Sequence, residues 1–304
     1  MRKRFLLTII LIVLVTVPVS MMAQTGDIEA HADVNIISEK QQAVAFLDSI
    51  KELSPSLHWP NVDPGMFLQN LKTFALYPLK FYEGKGTNFC AYSAITYIPL
   101  NYDPIGFARF MIKLYTDGEA KMGKVQFRPS RAVKEEAGLI KYKGALDISP
   151  ASQMWFLCLA DRFKGYLNFF NRHFDKGDES TLWASTNFAK FNRMVRRLFL
   201  FKVKARGSDL FRPWVNNPYE FLREKSAKAP VFLYLNNRLL YKKKHVVTRF
   251  GIPTHFVLLL NIYKSGDKIN IVYWDYGKKT LQQVTPPLLR KIIFGISYFY
   301  PVEK

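Results

Sequence analysis

The stretch from 231 to 277 constrains the fold more than any other part of the chain. "VFLYLNN" is a continuous apolar run directly after Pro230, and "HFVLLLNIY" and "KINIVYWDYG" flank the short stretch "KSGD". Brief apolar runs of this kind, bounded by Gly, Pro and Asp, read as buried strands. Ser-Gly-Asp marks a tight reversal between the last two, which makes them an antiparallel pair.

Upstream the period changes. "QQAVAFLDSIKEL" (41–53) places Val44, Phe46, Leu47, Ile50 and Leu53 on most of one helical stripe. "SPSLHWPNVDPG" interrupts it, and "GMFLQNLKTFALYPL" predicts a second helix. A third begins at Cys90 and is expected to run to about Tyr97, closed by Pro99. "DPIGFARFMIKLYTDG" opens on an Asp-Pro start and stops at glycine. The basic, mixed stretch from Gly123 to Ser149 gives no clear element. "SPASQMWFLCLADRFKGYLNFFNRHF" starts with a capping serine and a first-turn proline. "STNFAKFNRMVRRLFLF" separates Phe188, Phe191, Val195, Leu198 and Phe199 from Lys190, Arg193 and Arg197. A basic amphipathic helix can lie on a membrane, although a solvated outer face is the commoner use of such a pattern. "NPYEFLREKSAKAP" is a further helix, ending at Pro230. Helices first and strands last predict an α+β fold rather than an alternating α/β one.

The first residues bear on location. Arg2, Lys3 and Arg4 precede an apolar run from Phe5 to about Val17, followed by Pro18, Ser20 and Ala23. This is the order of a secretory signal, expected over 1–23 with cleavage near Ala23, and 24–40 reads as a polar, flexible tether. Thr8, Thr16, Pro18 and Ser20 keep the run short of the roughly 20 apolar residues that spanning requires, although a retained anchor is the alternative. The expected product is periplasmic or extracellular. The formal charge is +20, three units of it from Arg2, Lys3 and Arg4. Such an excess favours anionic headgroups or wall polymers, and export argues against nucleic acid.

Chemistry concentrates on three residues. A thiol nucleophile needs a stabilised thiolate, a base in reach and a third group to hold that base. Cys90 stands at a helix start, where unsatisfied N–H groups and the dipole favour negative charge. His255 begins a strand and Asp275 ends the next one. His255 is nine residues before Lys264 and Asp275 eight after Asp267, so the turn brings them together with one residue of bulge allowed. Competing uses remain open at this point. Cys90 and Cys158 could form a disulfide, or Cys158 could be a small buried hydrophobe within "MWFLCLAD". His58, His173 and His245 lack metal-ligand spacing, so no metal or other cofactor is expected.

These residues resemble a known family. A cysteine at a helix start, an inserted helical region, "KAPVFLYLNN" and then "THFVLLLNIYKSGDKINIVYWDYG" look like the papain-like cysteine peptidase fold, and more narrowly like its C39-like branch. The resemblance covers roughly residues 80–300, and its specific part is 221–277. It implies one papain-like domain over 41–304, with 101–220 a largely helical insertion and 221–304 the β-rich part closed by a polar tail. It also implies Cys90 as nucleophile, His255 as general base and acid, and Asp275 as the group orienting His255. The expected function is hydrolysis of an amide or peptide bond through a thioester. The alternatives are a non-catalytic binding or scaffold protein on the same fold, and a basic membrane-peripheral protein using its helices from 150 to 205. The sequence departs from the family where a glutamine usually precedes the cysteine, since "YEGKGTNFC" has none. Asn88 is the expected substitute oxyanion donor, alongside the backbone N–H of Cys90. Ala91 follows Cys90, where glycine or tryptophan is common. In "NRLLYKKKHVVTRFG", Lys242, Lys243, Lys244 and Arg249 are candidate contacts to an anionic peptide or cell-wall amide substrate.

Overall fold

The computed structural model describes residues 36–82, 84, 86–141, 148–164, 173–240, 255–275 and 277–300. In chain order these form α1 (Lys40–Ser49), α2 (Pro64–Leu76), α3 (Cys90–Tyr102), α4 (Pro104–Asp117), β1 (Ala120–Met122), β2 (Val125–Phe127), α5 (Arg131–Glu136), α6 (Pro150–Phe163), α7 (Phe188–Leu198), β3 (Lys202–Gly207), α8 (Pro218–Ser226), β4 (Val231–Leu235), α9 (Asn237–Leu240), β5 (His255–Ser265), β6 (Lys268–Asp275), β7 (Lys278–Val284), α10 (Pro286–Ile292) and β8 (Ile293–Tyr300). The protein is α+β. Its main sheet has six strands in the order β3-β8-β4-β5-β6-β7, each neighbouring pair antiparallel.

Alternation along the central strands divides the interior in two. Phe232, Tyr234, Phe256, Leu258 and Trp274 face a large core built with α1 to α7. Val231, Leu233, Leu235, Val257 and Tyr273 face a smaller one closed by α8, α9 and α10. Both faces are covered, which explains why these strands read as unbroken apolar runs. Aromatic stacking joins helix to sheet: Phe256 lies 4.5 Å from the Phe191 ring of α7 and 4.2 Å from Tyr234 of β4.

Local signals place most helix ends. Asp63, Asp103, Ser149, Asn187 and Asn217 each accept a backbone N–H at a helix start. Four of these helices carry proline in the first turn, where a missing N–H costs nothing. Gly118, at φ 69, ends α4 in the left-handed conformation glycine favours.

The expectations need correction in several places. The first helix stops at Ser49, and Ile50 and Leu53 pack against the core from outside it. Helix α3 does not close at Pro99 but continues to Tyr102. The proline falls in its last turn and the helix resumes with Asp103 N–H bonded to the Pro99 carbonyl. Helix α6 ends at Phe163, where Lys164 takes a positive φ of 36. The Ser-Gly-Asp reversal is a two-residue Gly266-Asp267 turn, because Ser265 pairs directly with Lys268. The region 101–220, expected to be largely helical, also holds the β1-β2 hairpin and β3, which joins the main sheet. The tail after 277 is not merely polar, since it supplies β7, α10 and the buried β8. The end of the expected tether is docked, with Ile37 and Ser38 N–H groups both directed to the Tyr102 carbonyl. The signal segment lies outside the described residues. No helix among those described is long and apolar enough to cross a membrane.

The apolar stripe of α7 is used inside the molecule. Phe188, Phe191, Met194, Val195 and Leu198 are all buried, so this helix does not lay that stripe on a membrane. Phe188 covers Gly295 of β8, where an added Cβ would fall 2.4 Å from its ring. Gly295→Ala is therefore expected to destabilise the protein by about 1–3 kcal/mol through overpacking, read as a lower urea midpoint.

Candidate active site

Cys90 is the first residue of α3 and is partly exposed. Its neighbours are fixed on both sides. Phe89 is fully buried, with its ring 5.6 Å from Phe156 of α6. Further along, the Trp155 indole donates to Thr96 Oγ1 at 2.8 Å, tying α3 to α6. No side chain caps the helix at Phe89. The amides of the first turn thus form the positive end of a helix beside a thiol.

His255 and Asp275 meet as their strand positions require. The register pairs Leu258 with Trp274, with an irregularity between Leu259 and Asn261. One further step sets Asp275 across from Val257, so that His255 is its diagonal neighbour. That spacing is within reach of long side chains. His255 Nε2 and Asp275 Oδ1 are 2.5 Å apart, and each residue is 2% exposed. The thiol of Cys90 is hydrogen-bonded to the same imidazole. With Nε2 engaged by the carboxylate, Nδ1 is the nitrogen left to sulfur. Cys90, His255 and Asp275 therefore form one contiguous chain of groups, drawn from α3, β5 and β6.

The ring's environment favours its charged form. Burial pulls the imidazole pKa down, but hydrogen bonds and charge interactions with Asp275 and Cys90 outweigh it and raise the value to about 10. Next to the thiol, burial pushes the Tyr92 phenol well above its ordinary range, with Cys90 adding to the effect, so Tyr92 stays neutral.

A second connection sets the distance between the helix and the strands. The Trp274 indole, adjacent to Asp275, donates to the Leu79 carbonyl at 2.8 Å, and its ring lies 4.8 Å from Phe81. The segment leading to Cys90 is thus attached to the strand that ends in Asp275. Nothing in the sequence around Trp274 signals this role.

Asn88 does not serve as expected. Its Nδ2 donates to the carbonyls of Ser180 and Thr181 at 2.9 and 2.7 Å, and its backbone N–H donates to the Glu179 carbonyl at 2.8 Å. An amide NH₂ has two hydrogens and both are engaged, so the side chain has none to offer an oxyanion. Asn88 is an anchor that fastens the loop at 179–181 to the segment before Cys90. The sequence could not show this, because the partners are more than 90 positions away.

The disulfide alternative is not realised: neither Cys90 nor Cys158 is in a disulfide. Cys158 is buried in α6, and burial followed by the nearby Asp161 pushes its thiol well above the ordinary value. That leaves it an inert core residue. Lys242, Lys243, Lys244 and Arg249 lie outside the described residues.

Two expectations follow. Because folding raises the His255 pKa, its charge contributes stability that is complete below the unfolded value of 6.5 and is lost as pH rises through about 10. The gap in urea midpoint between wild type and His255→Gln should narrow from about pH 6 to about pH 10. A gap that does not change would contradict the charged pair. Asn88→Ala should cost about 1 kcal/mol by removing two solvent-accessible hydrogen bonds, measured by the same midpoint. No family profile, curated protein or solved structure matches this chain, so its chemistry is argued from the arrangement of Cys90, His255 and Asp275 themselves.

Proposed function

We propose that this protein is an exported cysteine-dependent hydrolase of an amide or peptide bond, with a papain-like fold closest to the C39-like branch. The observation that carries the reading is the contact chain from the partly exposed Cys90, through His255, to the buried Asp275. A cysteine followed by a base and an orienting carboxylate is the constellation nucleophilic acyl transfer requires.

The chemistry follows from the positions. The Cys90 thiolate attacks the substrate carbonyl carbon, and the carbonyl π electrons move to oxygen. Amides of the first turn of α3 are the donors nearest the developing charge. As the tetrahedral centre collapses, the C–N bond breaks and the His255 imidazolium gives its proton to the departing amine. A thioester remains. Water then transfers a proton to neutral His255 as its oxygen attacks the thioester, and the acid departs as the thiolate re-forms. Asp275 holds Nε2 throughout, which keeps Nδ1 directed at sulfur. The residues required for these steps are all protein side chains and backbone, and the basic chain favours an anionic peptide or wall amide as substrate.

One observation favours a second reading. Asn88 is committed to the 179–181 loop and is not the side-chain oxyanion donor expected of it. A relative that keeps the fold and binds without cleaving would tolerate that loss.

Alkylation of Cys90 by iodoacetamide, followed by mass spectrometry from pH 4 to 10, separates the two. For an enzyme, the Cys90 rate near neutral pH should fall by about tenfold or more in His255→Ala, the equivalent of about 1.4 kcal/mol of lost activation. Cys158 should stay unlabelled in the folded protein. A Cys90 that alkylates slowly, and equally in both proteins, would favour the binding protein.

A further inference from the structure

A cavity of about 300 Å³ lies on the opposite side of α3 from its catalytic end, between the C-termini of α3 and α7, the start of α4 and the β1-β2 hairpin. Its wall is mixed, with Ile98, Phe107, Phe110, Met122 and Phe201 standing beside Asp103 and Lys121. None of the steps described above uses it.

Two exposed apolar side chains stand among these residues, where water would favour polar groups. Ile37 is 70% exposed and Leu200 is 45% exposed, and both line the opening. Leu200 is held at φ 59, a conformation that costs a leucine free energy and is usually left to glycine. The backbone strain thus coincides with an outward-directed apolar side chain.

Basic residues adjoin this cavity: Lys121 is part of its lining, and Lys124, Arg196 and Arg197 stand within two positions of the lining residues Gly123 and Leu198. The hairpin tip is attached to the end of α7 by the Lys124 N–H bonded to the Arg197 carbonyl at 2.8 Å. Lys121, Lys124, Arg196 and Arg197 are all exposed, and none forms an ion pair with a described residue. The acid at the opening, Asp103, is engaged by Ser38 Oγ and the Gly106 N–H at 2.8 and 3.0 Å.

We infer that this face docks on an anionic phospholipid bilayer, with Ile37 and Leu200 entering the acyl region, the four cations meeting headgroup phosphates, and the cavity receiving part of one acyl chain. The commitment to a bilayer rests on the combination. Cations alone would suit any polyanion, and a cavity alone any apolar ligand. Exposed apolar side chains beside exposed cations that pair with no described residue match a surface that is apolar beneath and anionic above. The use differs from an amphipathic helix lying flat, because the α7 stripe is in the core and only the end of that helix takes part. The inference does not depend on the hydrolase reading.

The test is co-sedimentation with phosphatidylcholine vesicles, with or without added phosphatidylglycerol. It uses the protein from Gln24 onward, the form left by the expected cleavage, which retains every described residue. Wild type should bind the anionic vesicles and leave the neutral ones in solution. Lys121→Glu with Arg197→Glu should weaken binding by about tenfold or more. Leu200→Gly, which relieves the positive φ while removing the apolar side chain, should weaken it severalfold without loss of thermal midpoint. Lys264→Glu with Lys268→Glu, on the distant β5-β6 hairpin, should bind nearly as wild type. Failure of wild type to bind, an equal loss in the hairpin control, or full binding by Leu200→Gly would each overturn the proposal. If the double variant fails to fold, Leu200→Gly and the hairpin control still decide it.

Discussion

Placing an imidazole and a carboxylate beyond the reach of water is costly unless each answers the other. His255 and Asp275 do so at 2.5 Å, and the surrounding protein is arranged to keep them there. The partnership exists because a two-residue turn and one irregularity in the β5-β6 ladder bring the start of one strand beside the end of the other. Phe256, one residue beyond the histidine, is packed between Phe191 and Tyr234, which holds the strand from the helical side. Trp274, one residue before the aspartate, ties the other strand to the approach to Cys90. The buried pair is thus bracketed by two aromatic anchors, and the thiol is delivered to it by a helix fixed independently to α6.

This arrangement separates rigidity from access. The base and its orienting acid are enclosed, whereas Cys90 is only partly buried. A nucleophile must meet its substrate, but charged groups act on one another most strongly where water cannot screen them. Asn88 belongs to the rigid part: its hydrogen bonds to 179–181 connect the loop before Cys90 to a segment from the middle of the chain. Residues 101–220 are therefore built into the support of the site and are not an appendage to it.

The parts that were legible in the sequence are those governed by local rules. Strands β4, β5 and β6 announced themselves because both faces are buried and the turn between two of them needs particular residues. Capping residues and first-turn prolines marked most helix starts for the same reason. The candidate residues Cys90, His255 and Asp275 could be paired by counting from the turn. Other features depended on distant partners. Strand β3 carries no apolar run to mark it, because it is exposed along most of its length and is held by pairing with β8. Pro99 looked like a terminator, yet packing on both sides of α3 carries the helix through it. Asn88 looked like a donor facing a substrate because the cysteine is two residues on, while its true acceptors are contributed by residues 180 and 181.

The order of strands has a consequence for how copies of this protein meet. An open sheet ends in two strands, β3 and β7, whose outer backbone groups could extend the ladder into another molecule. Lys202, Lys204 and Arg206 alternate along β3, and Lys278 and Lys279 begin β7; all are exposed. Edge-to-edge stacking would bring like charges together along the seam, so the basic composition acts as a guard against fibrous self-association. That guard is electrostatic and lies at the surface, so it weakens as added salt shortens the screening length.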